Sequence, residues 1–406
     1  MKRIAMRLEG HSEGDAHVPP PRAQSPEVEG THHHWIERLH VRGFRSLADV
    51  KVRPVAGANV LIGANGSGKS SFVHFFNMVG WMQDSRRLAE FVGREGGADD
   101  QLHGGSDSTP QMDAEITIRT DTGLNDYRFS LAYSHPDQLL FSEEAFRHSR
   151  DGLDTEAEWN YLGAGHREAL IVRSDQGIHG GLTASRRTAR TMAHLLRNCV
   201  AYQFHNTDPA SSFKKTWDAG DRAYMRSDGG NLASILYRLE HEHLDRYELI
   251  CRHIRRVLPG FDRFQIEEQY GKVALRWRSR LPNKTYGAHL TSDGSLRFFA
   301  LATLLNLPGG LLPGVLVLDG PELGLHPKAV ALVGAMIRAM AESRLVILAT
   351  QSALLLDAFE LDEVFVLEMR EGRTQLTSPD PVQLQTWLGE FSVGELWQKN
   401  LLGGRP

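Results

Sequence analysis

Gly63-Ala64-Asn65-Gly66-Ser67-Gly68-Lys69-Ser70 matches G-x-x-x-x-G-K-[ST], the pattern of a loop that wraps nucleotide phosphates. Its flanks agree with that reading. Asn59-Val60-Leu61-Ile62 reads as a short buried strand entering the loop. Phe72, Phe75, Phe76 and Val79 then recur at helical spacing, so a helix leaves it. Glycines let backbone N–H groups turn inward, and the start of a helix adds positive partial charge. Gly63, Asn65, Gly66, Ser67, Gly68 and Ser71 are therefore candidate phosphate-cradling residues. Lys69 is expected to reach the β- and γ-phosphates, and Ser70 to ligate Mg²⁺. The plainer alternative is a glycine-rich turn before a core helix. The matching flanks disfavour it.

The bulk properties exclude several other classes. A chain of 406 residues can bury a large core as one big domain or two. Its 41% hydrophobic and 24% charged content is ordinary for a globular protein. The formal charge of −4 shows no global basic signature, so any nucleic-acid contact must come from a local patch or a dimer groove. Cys199 and Cys251 suit a reducing compartment and supply no thiol metal site. The first ten residues lack the apolar core of a signal peptide, and no apolar run reaches membrane-spanning length. A cytoplasmic protein is expected.

Residues 1–33 are rich in Pro, Gly, Ser, Glu and His and read as a disordered tail. His32-His33-His34, at its end, reads as solvated rather than metal-binding. Residues 34–110 read as an opening hairpin plus the phosphate-loop unit, with 84–111 a long polar loop. Residues 111–183 carry short alternating segments, predicting an antiparallel β lobe. Residues 184–264 read as a helical insertion with no sustained heptad, and strands return in 265–406.

The second half holds two more buried strands with polar ends. Val315-Leu316-Val317-Leu318-Asp319 ends in an acid, the position from which phosphate-loop ATPases approach Mg²⁺. Leu345-Val346-Ile347-Leu348-Ala349 ends in Thr350-Gln351-Ser352, where α/β sheets bind ligands. Leu290-Thr291-Ser292-Asp293-Gly294 is a small polar turn opening a helix, a further anion-binding geometry or an ordinary cap.

Together these motifs resemble an ABC-class ATPase head of the RecF/SMC/OLD-like group, and most nearly its stand-alone AAA_21-type members, some of which occur in anti-phage systems. Gly43-Phe44-Arg45-Ser46-Leu47 resembles the group's opening strand, and Leu290 to Gly294 its signature. Asp319 to Pro327 resembles Walker B plus D-loop, Thr350-Gln351-Ser352 occupies the switch position, and Trp387 to Gly404 looks family-typical. The resemblance implies a P-loop fold with a mixed central sheet, and ATP with Mg²⁺ bound by Ser70 and Asp319. It implies a homodimer in which Ser292 and Gly294 of one copy meet the γ-phosphate held by Lys69 of the other. It also implies a separate effector protein and a role in DNA repair or phage defence. Arg45 is either near the phosphates or an ordinary surface arginine. A glutamine-loop residue is expected between 80 and 105, with Gln83 and Gln101 as candidates.

The chain departs from the group at two catalytic positions. The group's Walker B Asp is followed by Glu, the base that orients the attacking water; here Gly320 follows. The switch histidine is replaced by Gln351. Three readings stay open: Glu322 supplies the carboxylate, the protein turns ATP over slowly and works as a dimerisation switch, or it is a variant of a hydrolysing parent. A nucleotide-sensing subunit without turnover is the alternative function. A GTPase fits less well because Asn283-Lys284-Thr285-Tyr286 lacks the Asp that reads guanine, and a kinase because it needs neither the signature turn nor Leu323-Gly324-Leu325-His326-Pro327. Glu240-His241-Glu242-His243 reads as a solvated helix face. Arg186, Arg187, Arg190, Arg252, Arg255 and Arg256 are candidate nucleic-acid contacts or solvent-facing charges.

Overall fold

A computed structural model describes residues 35–82, 88–150, 157–174, 183–197 and 199–404. The tail 1–33, His32 to His34 and Gln83 therefore lie outside the described residues. Among the described residues no helix is long and apolar enough to cross a membrane.

Three strands made mostly of buried apolar residues, Ala58–Ile62, Val315–Asp319 and Leu345–Ala349, form the centre of a six-stranded sheet. Strands covered on both faces have no solvent side, so their sequences do not alternate. The order across the sheet is Arg373–Thr377, Val364–Arg370, Ala58–Ile62, Leu345–Ala349, Val315–Asp319, Cys199–Tyr202. All neighbours run parallel except the terminal hairpin Val364–Arg370 with Arg373–Thr377. Alternate residues of each strand feed two separate cores. Val60, Ile62, Leu316, Leu318 and Leu348 face one, packed with the helices Leu232–Glu242, Leu244–Val257, Asp293–Leu304 and Pro327–Ala341. Leu61, Val315, Val317 and Ile347 face the other, with the helix Lys69–Met82.

The second core is closed by a six-stranded antiparallel sheet ordered Leu47–Val52, Trp35–Phe44, Gln111–Thr120, Gly123–Ser134, Gln138–Ser149, Asn160–Gly163. The opening hairpin is thus hydrogen-bonded into the same sheet as the later strands, and this sheet runs across the sequence boundary drawn at residue 110. Within the expected polar loop 84–111 the structure has a helix, Leu88–Arg94, and a short 3₁₀ turn, Asp99–Gln101. Leu88, Phe91 and Val92 supply the buried face that composition alone masked. The expected helical insertion contributes the edge strand Cys199–Tyr202 to the central sheet.

Candidate nucleotide site

Because the central strands run parallel, the segments following Ile62, Tyr202, Asp319 and Ala349 emerge at one edge of the sheet. The sequence-predicted loop lies there. Gly63, Gly66 and Gly68 all have positive φ, at 153°, 75° and 103°. A Cβ at Gly63 would collide with the Leu367 carbonyl, and one at Gly68 with the Thr374 hydroxyl, so both walls of the loop demand glycine. Lys69 is buried beneath the loop, its Nζ donating to the carbonyls of Gly63 (2.7 Å) and Ala64 (2.8 Å). Burial pulls the Lys69 ammonium below the ordinary lysine range, while Asp319 and then Glu322 oppose the shift. Both acids therefore sit within electrostatic reach of Lys69. Ser70 and Asn65 are exposed at the mouth of the loop, whereas Ser67 is buried inside it.

Ser71 is tied to the opening hairpin. Thr374 donates to Ser46 (2.8 Å), and Ser46 donates to Ser71 (2.8 Å). Arg45, in that hairpin turn at φ 47°, is ion-paired to Glu95 (2.8 Å) and donates to the Gln101 side chain (3.1 Å). It is therefore not a free surface arginine.

Gln101 is fully buried, and its amide nitrogen is spent on the carbonyls of Glu95 (2.7 Å) and Gly97 (3.1 Å). Among the described residues, the glutamine bonded to Asp319 is Gln203, whose amide donates to Oδ2 at 2.8 Å. The sequence reading missed it because the strand Cys199–Tyr202 carries it in from what looked like a helical insertion. The available signal was the apolar run Val200-Ala201-Tyr202 ending in a polar residue, the same form as the other two strands. Two residues on, His205 Nε2 donates to the Asp319 main-chain carbonyl at 2.9 Å.

The remaining site residues form a connected set. Gln351 donates its side-chain amide to Asn65 Oδ1 (2.5 Å) and its backbone N–H to Glu322 Oε1 (2.9 Å). The switch residue thus bridges the phosphate loop to the segment after Asp319. Gly403 and Gly404 pack behind the loop: a Cβ at Gly404 would come within 3.5 Å of Gly63 Cα, and Glu368 accepts the Gly404 N–H at 3.0 Å. Gly404 is thereby a close-approach residue, where a Cβ would also meet Val366 Cγ1 at 2.6 Å.

Ser292 is exposed and caps the helix Asp293–Leu304, accepting from the Ser295 N–H (3.3 Å) and donating to the Ser295 hydroxyl (2.9 Å). Gly294 lies so close to the Gly324 carbonyl that a Cβ would approach it to 2.6 Å. Arg297, one turn further, donates to the carbonyls of Leu323 (3.2 Å) and His205 (2.9 Å). The signature turn is thus braced against the segment after Asp319, and neither Ser292 hydrogen bond leads to Lys69 of the same chain.

Elsewhere, Glu242 is paired with Arg238 (2.7 Å) and lies 3.6 Å from Arg222, and His241 Nδ1 donates to the Tyr237 carbonyl (2.7 Å). Among the described residues no cluster of three His, Cys, Asp or Glu side chains could hold a metal ion. Of the basic clusters, Arg187, Arg190, Arg252 and Arg256 are exposed, Arg255 donates to the Asp262 carbonyl, and the Arg186 side chain lies outside the described residues.

A family model described as "AAA domain, putative AbiEii toxin, Type IV TA system" (AAA_21) matches residues 58–357. The chain is 33% identical over 123 residues to the DNA replication and repair protein RecF of Chromohalobacter salexigens, covering 28% of this chain and 34% of that protein. It is 26% identical over 179 residues to RecF of Shewanella woodyi, covering 41% and 46%. The chain thus spans about a third to a half of the length of these curated relatives. Among solved structures, an SMC head bound to the C-winged helix domain of ScpA superposes with a TM-score of 0.55 at 15% identity, over 87% of this chain and 99% of that one. That likeness shows the fold, an α/β SMC-type head. The family match over residues 58–357, on a sheet edge that gathers the phosphate loop, Asp319 and Gln351, means that the chain belongs to the AAA_21 family, within the RecF/SMC-like group of ABC-class P-loop ATPases.

Proposed function

We propose that this chain binds Mg-ATP at the edge of its central sheet, and that two copies close around the nucleotide to signal to a separate effector. One observation carries the reading: Lys69, Asp319, Gln203, Glu322 and Gln351, from four separate stretches of chain, are linked or within electrostatic reach at one site. The residues present fit the ligands. Ser70 is exposed at the helix start, and Asp319 has one carboxylate oxygen engaged by Gln203, leaving Oδ1 for a cation. One carboxylate, one hydroxyl and the phosphate oxygens are what Mg²⁺ ordinarily takes. Bound there, Mg²⁺ would neutralise charge on the β- and γ-phosphates. Lys69 exchanges its loop carbonyls for phosphate oxygens. The backbone N–H groups released by positive-φ glycines hold the remaining charge.

The exposed Ser292 turn supports closure by a second copy, since a composite site needs a signature facing outward. The RecF relatives, named for DNA replication and repair, support a role in DNA repair; the family's toxin–antitoxin description supports anti-phage defence. The exposed Arg187, Arg190, Arg252 and Arg256 supply local positive charge for a nucleic-acid backbone. A second reading, a nucleotide sensor without useful turnover, draws on Gly320 in place of the usual acid.

The decisive test is calorimetric binding of ATP and ADP with Mg²⁺, alongside solution mass. Wild type is expected to bind ATP and to double in mass with it. Lys69→Ala is expected to lose about tenfold or more in affinity. A Lys69→Ala protein that binds as tightly as wild type sinks the assignment.

A further inference from the structure

We propose that Glu322 carries the water-activating carboxylate in this chain, and that the backbone at Gly320 excludes the arrangement usual in the group. The proposal rests on the ATP-site reading above and names the base within it.

Gly320 adopts φ 53°, the left-handed region. A Cβ there would lie 2.8 Å from Leu323 Cδ1 and 3.3 Å from His205 Nε2. The turn is pinned on both sides: the Gly320 N–H donates to the Ala349 carbonyl (2.8 Å), and Leu323 N–H donates back to the Gly320 carbonyl (3.1 Å). A glutamate at 320 therefore meets a strained backbone and an occupied space. The family acid is not simply missing; the turn is built for a residue without a side chain.

What the turn delivers is Glu322. Its Oε1 is fixed by the Gln351 N–H, and Gln351 is in turn fixed to Asn65 of the phosphate loop. Its Oε2 is shielded from solvent and accepts no hydrogen bond. A shielded carboxylate oxygen without a donor is costly unless something arrives to occupy it. Its polar neighbours are held by partners within the site. Asp319 Oδ2 accepts from Gln203, Gln351 is bonded at both ends, and the His205 Nε2–H is spent on the Asp319 carbonyl. Glu322 Oε2 is thus a carboxylate oxygen without a partner, on a residue whose charge is felt at Lys69.

The step balances simply. The oxygen of water bonds to the γ-phosphorus as the bond from that phosphorus to the β,γ-bridging oxygen breaks, its electron pair leaving on ADP. The proton of water passes to Glu322 Oε2 and then to the released phosphate or solvent. No other reactant is needed.

Glu322→Gln keeps the Oε1 acceptor for Gln351, so the fold and the bridge survive. With Mg²⁺ present, the affinities of the full chain for ATP and for ADP are measured separately. Removing a negative charge that faces the γ-phosphate should raise the ATP:ADP affinity ratio by about threefold or more. Phosphate release should fall by about 100-fold. An unchanged ratio overturns the proposal whether or not wild type turns over rapidly, and so does unchanged release. A wild-type protein that binds neither nucleotide instead removes the underlying ATP-site reading. Gly320→Glu is the second variant: it should lower the unfolding temperature and fail to speed phosphate release, and faster release at wild-type stability overturns the exclusion.

Discussion

Asp319 shows how one carboxylate is held from three directions. The strand fixes its backbone, His205 fixes its carbonyl, and Gln203 takes one of its oxygens. A metal-ligating carboxylate is tuned by such partners, whose removal typically costs about 10–100-fold in metal affinity. Gln203→Ala is accordingly expected to raise the Mg²⁺ concentration needed for half-maximal ATP binding by about tenfold, with little change in the absence of Mg²⁺. A Mg²⁺ titration of ATP affinity reads this directly. At Gly320 the effect is on stability as well. Any non-glycine residue there pays about 1–2 kcal/mol for the left-handed backbone, and contact with Leu323 adds to it. Gly320→Ala should therefore shift a urea unfolding midpoint downward, whereas Gly66→Ala, where nothing lies within 4 Å of a new Cβ, should show the backbone cost alone. Glycine at 66 and 68 could be anticipated from the loop pattern. The left-handed turn at 320 could not, because it is held by backbone hydrogen bonds to Ala349 and Leu323.

The helix Lys69–Met82 joins the site to the second core. Phe72, Phe75 and Phe76 are buried, with Phe72 and Phe76 centroids 5.5 Å apart and Phe75 edge-on to Phe44 at 5.9 Å. Their helical spacing was readable in advance, since burying one face is what holds a short helix in place. Phe76→Ala is expected to destabilise by about 3–5 kcal/mol and to weaken ATP binding in proportion to the unfolded fraction. Thermal melts with and without ATP would check both. One turn from its end, Gly80 lets the helix approach the edge strand, a Cβ there falling 2.5 Å from the Cys199 carbonyl. Burial pushes the Cys199 thiol up to about 12 and the Cys251 thiol up to about 11. Raised values mean less thiolate at any working pH, so both should resist alkylation at pH 8 in the folded protein and react rapidly once unfolded. Rapid labelling of either in the native protein would contradict this packing.

Across the whole molecule, the two sheets share one core, so the antiparallel lobe and the nucleotide site should unfold together. The lobe carries its own buried knot. Glu144 is fully buried and accepts from Tyr127 Oη (2.8 Å), His166 Nε2 (2.8 Å) and the backbone N–H groups of Leu170 (2.8 Å) and Ile171 (3.1 Å). Burial, then the Glu144 charge, holds the Tyr127 phenol well above its ordinary range, keeping it a donor. Glu144→Ala strands all four donors and should cost about 3–5 kcal/mol. The loss is expected as one transition, coincident by tryptophan fluorescence and by release of bound nucleotide, although Glu144 belongs to the lobe rather than the site. Separate transitions would show that the two sheets unfold independently. The sequence alone determined the phosphate loop, the two buried strands ending in Asp319 and Gln351, and the family, because each is a local pattern of backbone freedom and burial. The tertiary structure alone decided that the opening hairpin joins the antiparallel sheet, that Gln203 donates to Asp319, and that Glu322 is left with an unpartnered, shielded oxygen. Those outcomes depend on strand order, which places Gln203 beside Asp319 across 116 positions of chain, and no local periodicity encodes which strand becomes whose neighbour.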